Sequence, residues 1–150
     1  MSVQPFVVDE GIWDRKEHDW TGKWFYFVEF FSLFGKILKV NDKLETLNRG
    51  VRMERYKTVS PIIWVQYGKM KGRMLIEIEK PDRYDAQVFS YEIPTTADSI
   101  VHLGGIATLS KGVERLKEIV YSRRQMEPRE IYYLYQSAIS GNKIVIVGIT

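Results

Sequence analysis

Apolar and polar positions along this chain change period several times, and each change marks an element. WFYFVEFF (Trp24 to Phe31) is aromatic and extended in character and reads as a strand. In KILKVNDKLETLNRGV, residues Ile37, Val40, Leu44, Leu47 and Val51 step by 3, 4, 3 and 4. That is one stripe of an amphipathic helix over Lys36–Arg49, with Gly50 as its stop or cap. Pro61 opens a strand, IIWVQYGK; KMKG is a turn, and RMLIEIE alternates as a strand should. PDRYD is a turn, AQVFSYEI a strand closed by Pro94, and PTTADS a loop. IVHLGGIATLS reads as a strand bent at Gly104-Gly105. The second helix is VERLKEIVYSRR, with Val113, Leu116, Ile119 and Val120 on one face and Ser110 or Gly112 at its N-terminal cap. After Pro128, IYYLYQ is a tyrosine-rich strand, Gly141-Asn142 a turn, and KIVIVGI an almost wholly apolar strand of the kind buried on both faces.

Two of these stretches echo each other. IIWVQYGKMKG begins at Ile62 and IYYLYQSAISG at Ile131, an offset of 69 residues, and both end on glycine before an apolar run. The order strand, helix, proline, strand, glycine turn, strand therefore occurs in both halves. Either one unit is used twice, or two unrelated helices are each followed by a hairpin.

Composition narrows the class. A chain of 150 residues with 45% hydrophobic content suits one domain with a sizeable core, and no low-complexity linker divides it, so residues 1–150 read as a single domain. The net charge of +3 is too small to argue for nucleic acid. There is no cysteine, the N-terminal segment lacks a signal-peptide apolar region, and the longest apolar runs are too short to span a bilayer. The expectation is a cytoplasmic protein with no membrane partner. Nine Tyr, seven Phe and four Trp must pack somewhere, in a core or around a cavity.

RYDAQVFSYEI, HLGGIATLSKGVERL and PREIYYLY, within residues 83–136, resemble the GyrI-like family, also called the bacterial transcription effector-binding domain. The resemblance implies an α+β fold. Duplicated strand-helix-strand-strand units form a curved antiparallel sheet with two helices on one face. It also implies a groove on the other face that takes small amphipathic, often cationic and aromatic, molecules. Some relatives are fused to DNA-binding helices, and this chain looks like a stand-alone version; some stand-alone relatives hydrolyse small strained rings with a Glu and aromatic residues. By this resemblance RYDAQVFSYEI is the paired strand of the first half, whereas by the internal echo RMLIEI is.

Strand alternation selects the candidate ligand-binding residues. Trp64 and Gln66 share a face of one strand, Tyr133 and Tyr135 a face of the other, and the echo matches the two pairs. Aromatic walls with polar tips suit flat or cationic ligands; the competing reading is that these rings pack a core. Glu29 shares its face with Phe25, Phe27 and Phe31, which makes it a candidate anion or general base, or else a solvated edge residue. Glu77 is the alternative acid, on a face with Arg73 and Glu79, and Glu92 a third. His18 and His102 have no second ligand at metal spacing, so neither a metal nor a cofactor is expected, and Arg123-Arg124 reads as a solvated helix face. No catalytic residue is assigned. Two further classes stay open. One is a lipocalin-like barrel carrier, from TGKWF at Thr21 to Phe25. The other is an oligomeric interaction module.

Overall fold

The computed structural model describes residues 8–33, 36–68, 70–135 and 143–150; the turn read at Gly141-Asn142 lies outside them. Its helices are α1 (Glu10–Trp13), α2 (Val40–Met53) and α3 (Leu109–Arg124). Its strands are β1 (Lys16–Asp19), β2 (Trp24–Leu33), β3 (Lys36–Ile37), β4 (Thr58–Gln66), β5 (Lys71–Ile78), β6 (Val88–Ser90), β7 (Thr96–Leu103), β8 (Glu130–Leu134) and β9 (Lys143–Ile149). The class is α+β, and the strand pairings within each unit are antiparallel. The chain divides into two compact units, residues 20–95 and residues 1–19 with 96–150.

In the unit of residues 20–95, β5 lies between β4 and β2, and β2 carries β6 and β3 on its other edge. In the other unit, β9 lies between β8 and β7, and β7 pairs with β1. Each unit is thus a strand, a helix, and a hairpin whose second strand returns beside the first. The duplicated strand-helix-strand-strand pattern holds, and RMLIEI is the paired strand, as the echo required.

Several boundaries move, each for a reason of partnership. The first helix begins at Val40 rather than Lys36, because Lys36 and Ile37 pair with Leu33 and Ser32 instead. Gly50 lies inside that helix and does not end it. A Cβ there would stand 1.9 Å from the Tyr26 hydroxyl oxygen, so glycine is what lets α2 settle onto β2. AQVFSYEI shrinks to Val88–Ser90 along β2. The polar TADS segment is strand, not loop, because it pairs with β1 on one side and β9 on the other. The second helix starts at Leu109 with Thr108 at its N-cap, after a 3-10 turn over Ile106–Thr108.

In each unit the helix covers one face of its own strands. Under α3 lie Ile100, Ile131, Ile144 and Ile146, in contact with Leu109, Val113, Leu116 and Val120. Burial of each such aliphatic side chain contributes about 1.5–3 kcal/mol. Under α2, Leu47 and Val51 are buried, as are Tyr26, Val28 and Phe30 on one face of β2. The near-continuous burial of β9 matches its apolar sequence.

Candidate functional site

The face of the residue 20–95 unit that turns away from α2 is built mainly of rings. Alternation along β2 sends Tyr26, Val28 and Phe30 toward the helix and Phe25, Phe27, Glu29 and Phe31 to the opposite side. Across the ladder, Phe25 lies opposite Glu77, Phe27 opposite Leu75 and Glu29 opposite Arg73, while Trp64 lies opposite Leu75 from the other edge. Four of the six expected site residues, Trp64, Gln66, Glu29 and Glu77, therefore share this one face.

The rings form a connected cluster. Trp20 sits 5.6 Å from Trp64 and 5.3 Å from Phe25, centroid to centroid. Phe89 stacks on Phe25 at 5.6 Å, meets Phe27 edge-on at 5.7 Å, and meets Tyr91 edge-on at 5.3 Å. Such pairs add about 0.5–1.5 kcal/mol each beyond area burial. Trp20, Phe25, Trp64 and Tyr91 are buried, while Phe27 and Phe89 are half-buried. The Arg73 guanidinium carbon lies 4.4 Å from the Phe89 ring centre and 5.1 Å from that of Phe27. These are cation–π distances. The Arg73 backbone N–H donates to Gln66 Oε1 at 3.2 Å, which holds the Gln66 amide on this face.

The two acids differ. Glu77 is 19% exposed and accepts from Lys23 Nζ through both carboxylate oxygens, at 3.2 and 3.1 Å. Glu29 is 51% exposed and pairs with Lys71 at 2.7 Å. Glu29 is therefore an acid at a solvated margin, and Glu77 is the one held beside the rings. Glu92 is exposed. Trp20, Phe89 and Tyr91 were not among the expected site residues. Trp20 and Tyr91 lie outside any strand, where periodicity says nothing about facing, and Phe89 sits in a strand of three residues.

Tyr133 and Tyr135 belong to the other unit. Tyr133 lies opposite Ile146 and packs with the cluster beneath α3. Burial there, with Tyr135 adding to it, pushes its phenol up to about 12, so the hydroxyl stays neutral. Trp64 thus faces away from its unit's helix and Tyr133 toward its own. The 69-residue echo is one residue out of phase in its facing, and a one-residue slip exchanges every side chain between faces. Tyr132, on the side away from α3, is fully buried and donates its hydroxyl to Glu130 Oε2 at 2.8 Å.

The histidines are structural. His102 lies beneath Gly112 of α3, where a Cβ would come within 2.7 Å of its ring, and its Nε2 is 2.9 Å from Thr108 Oγ1. His18 Nε2 is 2.8 Å from Ser99 Oγ, and the Ser99 hydroxyl donates to the Trp13 carbonyl. Arg123 and Arg124 are not merely solvated. Both reach the buried carboxylate of Asp98, at 3.3 Å to Oδ1 and 2.7 Å to Oδ2. Among the described residues no cluster of three or more His, Asp or Glu side chains could hold a metal ion. A polar cleft of about 540 Å3, lined by Tyr56, Arg55, Lys57, Glu79 and Arg83 among others, includes none of the six expected residues. Among the described residues no helix is long and apolar enough to cross a membrane. Compared with known proteins, the chain matches no family model and no curated relative.

Proposed function

We propose that this chain is a GyrI-like small-molecule-binding domain of the cytoplasm. Its ligand is a flat, amphipathic, often cationic molecule taken on the aromatic face of the residue 20–95 unit. The observation that supports the reading is the joining of half-buried rings, Phe27 and Phe89, to polar groups held in place beside them, Gln66 and the Lys23–Glu77 pair. Rings supply contact area at low conformational cost, and fixed polar tips orient a ligand. α2 occupies the segment where a lipocalin-like barrel would continue in strands, so a barrel carrier has no support.

The test is a thermal-shift screen with lipophilic cations and flat aromatic compounds, read in parallel by tryptophan fluorescence. At a hundred times its dissociation constant a ligand stabilises the native state by about 2.7 kcal/mol. A hit that perturbs Trp fluorescence and weakens in Gln66→Ala and Phe27→Leu supports this face. A hit indifferent to both variants removes it. Trp64 is 5% exposed, so Trp64→Phe is the variant that tests its role while keeping the packing.

A second reading, hydrolysis of a small molecule, draws on the Tyr132–Glu130 hydrogen bond, which orients a carboxylate beside a buried ring. Turnover of a strained-ring substrate that survives Glu130→Gln would remove Glu130 from that reading, and no turnover of any such substrate would eliminate it.

A further inference from the structure

We propose that a tip of the residue 20–95 unit, formed by Phe31, Leu33, Leu38 and Met70, docks on the surface of an anionic lipid bilayer. This does not rest on the ligand reading. Phe31, Leu33, Leu38 and Met70 are 58%, 55%, 47% and 71% exposed. Backbone bonds tie them into one place: Leu38 N–H donates to the Phe31 carbonyl, and Ser32 N–H to that of Met70. Phe31 and Leu33 point to the same side of β2, and their cross-strand partners are Lys71 and Lys36. Lys39 follows at the start of α2, with Lys36 and Lys39 both exposed. Four large apolar side chains in water are thus flanked by three lysines, one of which, Lys71, is paired to Glu29.

That composition suits a shallow insertion. Apolar side chains leave water for the acyl boundary while lysine stems reach back to the lipid phosphates. A second copy of the chain fits less well, because a two-fold contact at this tip would bring the lysines of both copies together. The docking is peripheral and reversible, consistent with the lack of a membrane-spanning helix among the described residues. It departs from the expectation of no membrane partner.

The experiment is flotation of the whole chain with phosphatidylserine–phosphatidylcholine vesicles and with pure phosphatidylcholine vesicles, at low and high salt. Retention is expected on the anionic vesicles only, and it weakens with salt. Lys36→Glu with Lys39→Glu lowers the partition coefficient by at least about thirtyfold, given roughly a thirtyfold gain for two lysines near such a surface. Phe31→Ser with Leu38→Ser lowers it comparably. These positions are solvent-exposed, and unchanged circular dichroism and melting temperature confirm that each variant folds. No retention on anionic vesicles, or retention indifferent to both variants, overturns the proposal. Concentration-dependent dimerisation abolished by Phe31→Ser, without vesicle binding, assigns the tip to a second copy and overturns it as well.

Discussion

The two units share a chain path and distribute chemistry in opposite ways. In residues 20–95 the face under the helix is apolar with one tyrosine, and the rings gather on the far face around Trp20 and Phe89. In the other unit the face under the helix holds ionisable groups: Asp98, buried and paired to Arg123 and Arg124 of α3, and His102, buried beneath Gly112. Both helices approach their sheet through a glycine, but at different ends. Gly50 lies near the end of α2 over Tyr26, and Gly112 lies in the first turn of α3 over His102 and Ile146. A repeated topology thus requires a matching order of strands and a close helix approach. It does not require matching residues at matching positions, and in the residue 20–95 unit the face away from the helix carries a cluster of rings.

The largest effect expected from breaking this contrast comes from the polar device of the second unit. Replacing both Arg123 and Arg124 with Ala strands the Asp98 carboxylate, 1% exposed, and costs about 3–5 kcal/mol in urea unfolding. Glu17, exposed at the rim of the same network, serves as the control, and Glu17→Ala shifts stability by about 0–1 kcal/mol. A small loss in the double variant would show that Asp98 finds water or other partners.

Next in size are the glycine contacts. Gly50→Ala forces the Tyr26 ring to move and destabilises by about 1–3 kcal/mol, overriding the roughly 1 kcal/mol that alanine gains in a helix. Adding Tyr26→Leu to Gly50→Ala recovers part of the loss if the clash is its cause. Gly112→Ala is expected to behave likewise against His102 and Ile146, with no sensitivity to the Tyr26 change.

A smaller effect is pH-dependent and belongs to the second unit alone. Burial lowers the His102 pKa below its ordinary 6.5; a hydrogen bond to the Gly105 backbone opposes this and the Arg115 charge adds to it. The unfolded chain therefore takes up the proton first as pH falls. Stability is full above about 6.5 and declines as pH drops below it. Melting curves of His102→Gln should be flatter across that window, and an equally steep decline in the variant would remove His102 as the cause. Smallest of all, Glu29→Gln breaks an exposed pair with Lys71 and should change stability by about 0–1 kcal/mol, fading in high salt.

Periodicity in the chain was enough for the α2 and α3 stripes, the β2, β4, β5, β8 and β9 strands, and the doubled order of elements, because burying one face of a helix or strand imposes its repeat directly on the residues. The sharing of one face by Glu29, Glu77, Trp64 and Gln66 followed in part from the same alternation. What alternation cannot supply is which of a strand's two faces meets the helix. Tyr133 and Trp64 look equivalent in the echo, yet they face opposite ways relative to their own helices, since one residue of slip leaves the pattern intact and inverts its meaning. The burial of Asp98 by two arginines, the recruitment of Trp20 and Tyr91 from outside the strands, and the need for glycine at positions 50 and 112 were likewise decided only by tertiary structure. Each depends on contacts between segments far apart in the chain, and no local spacing records them.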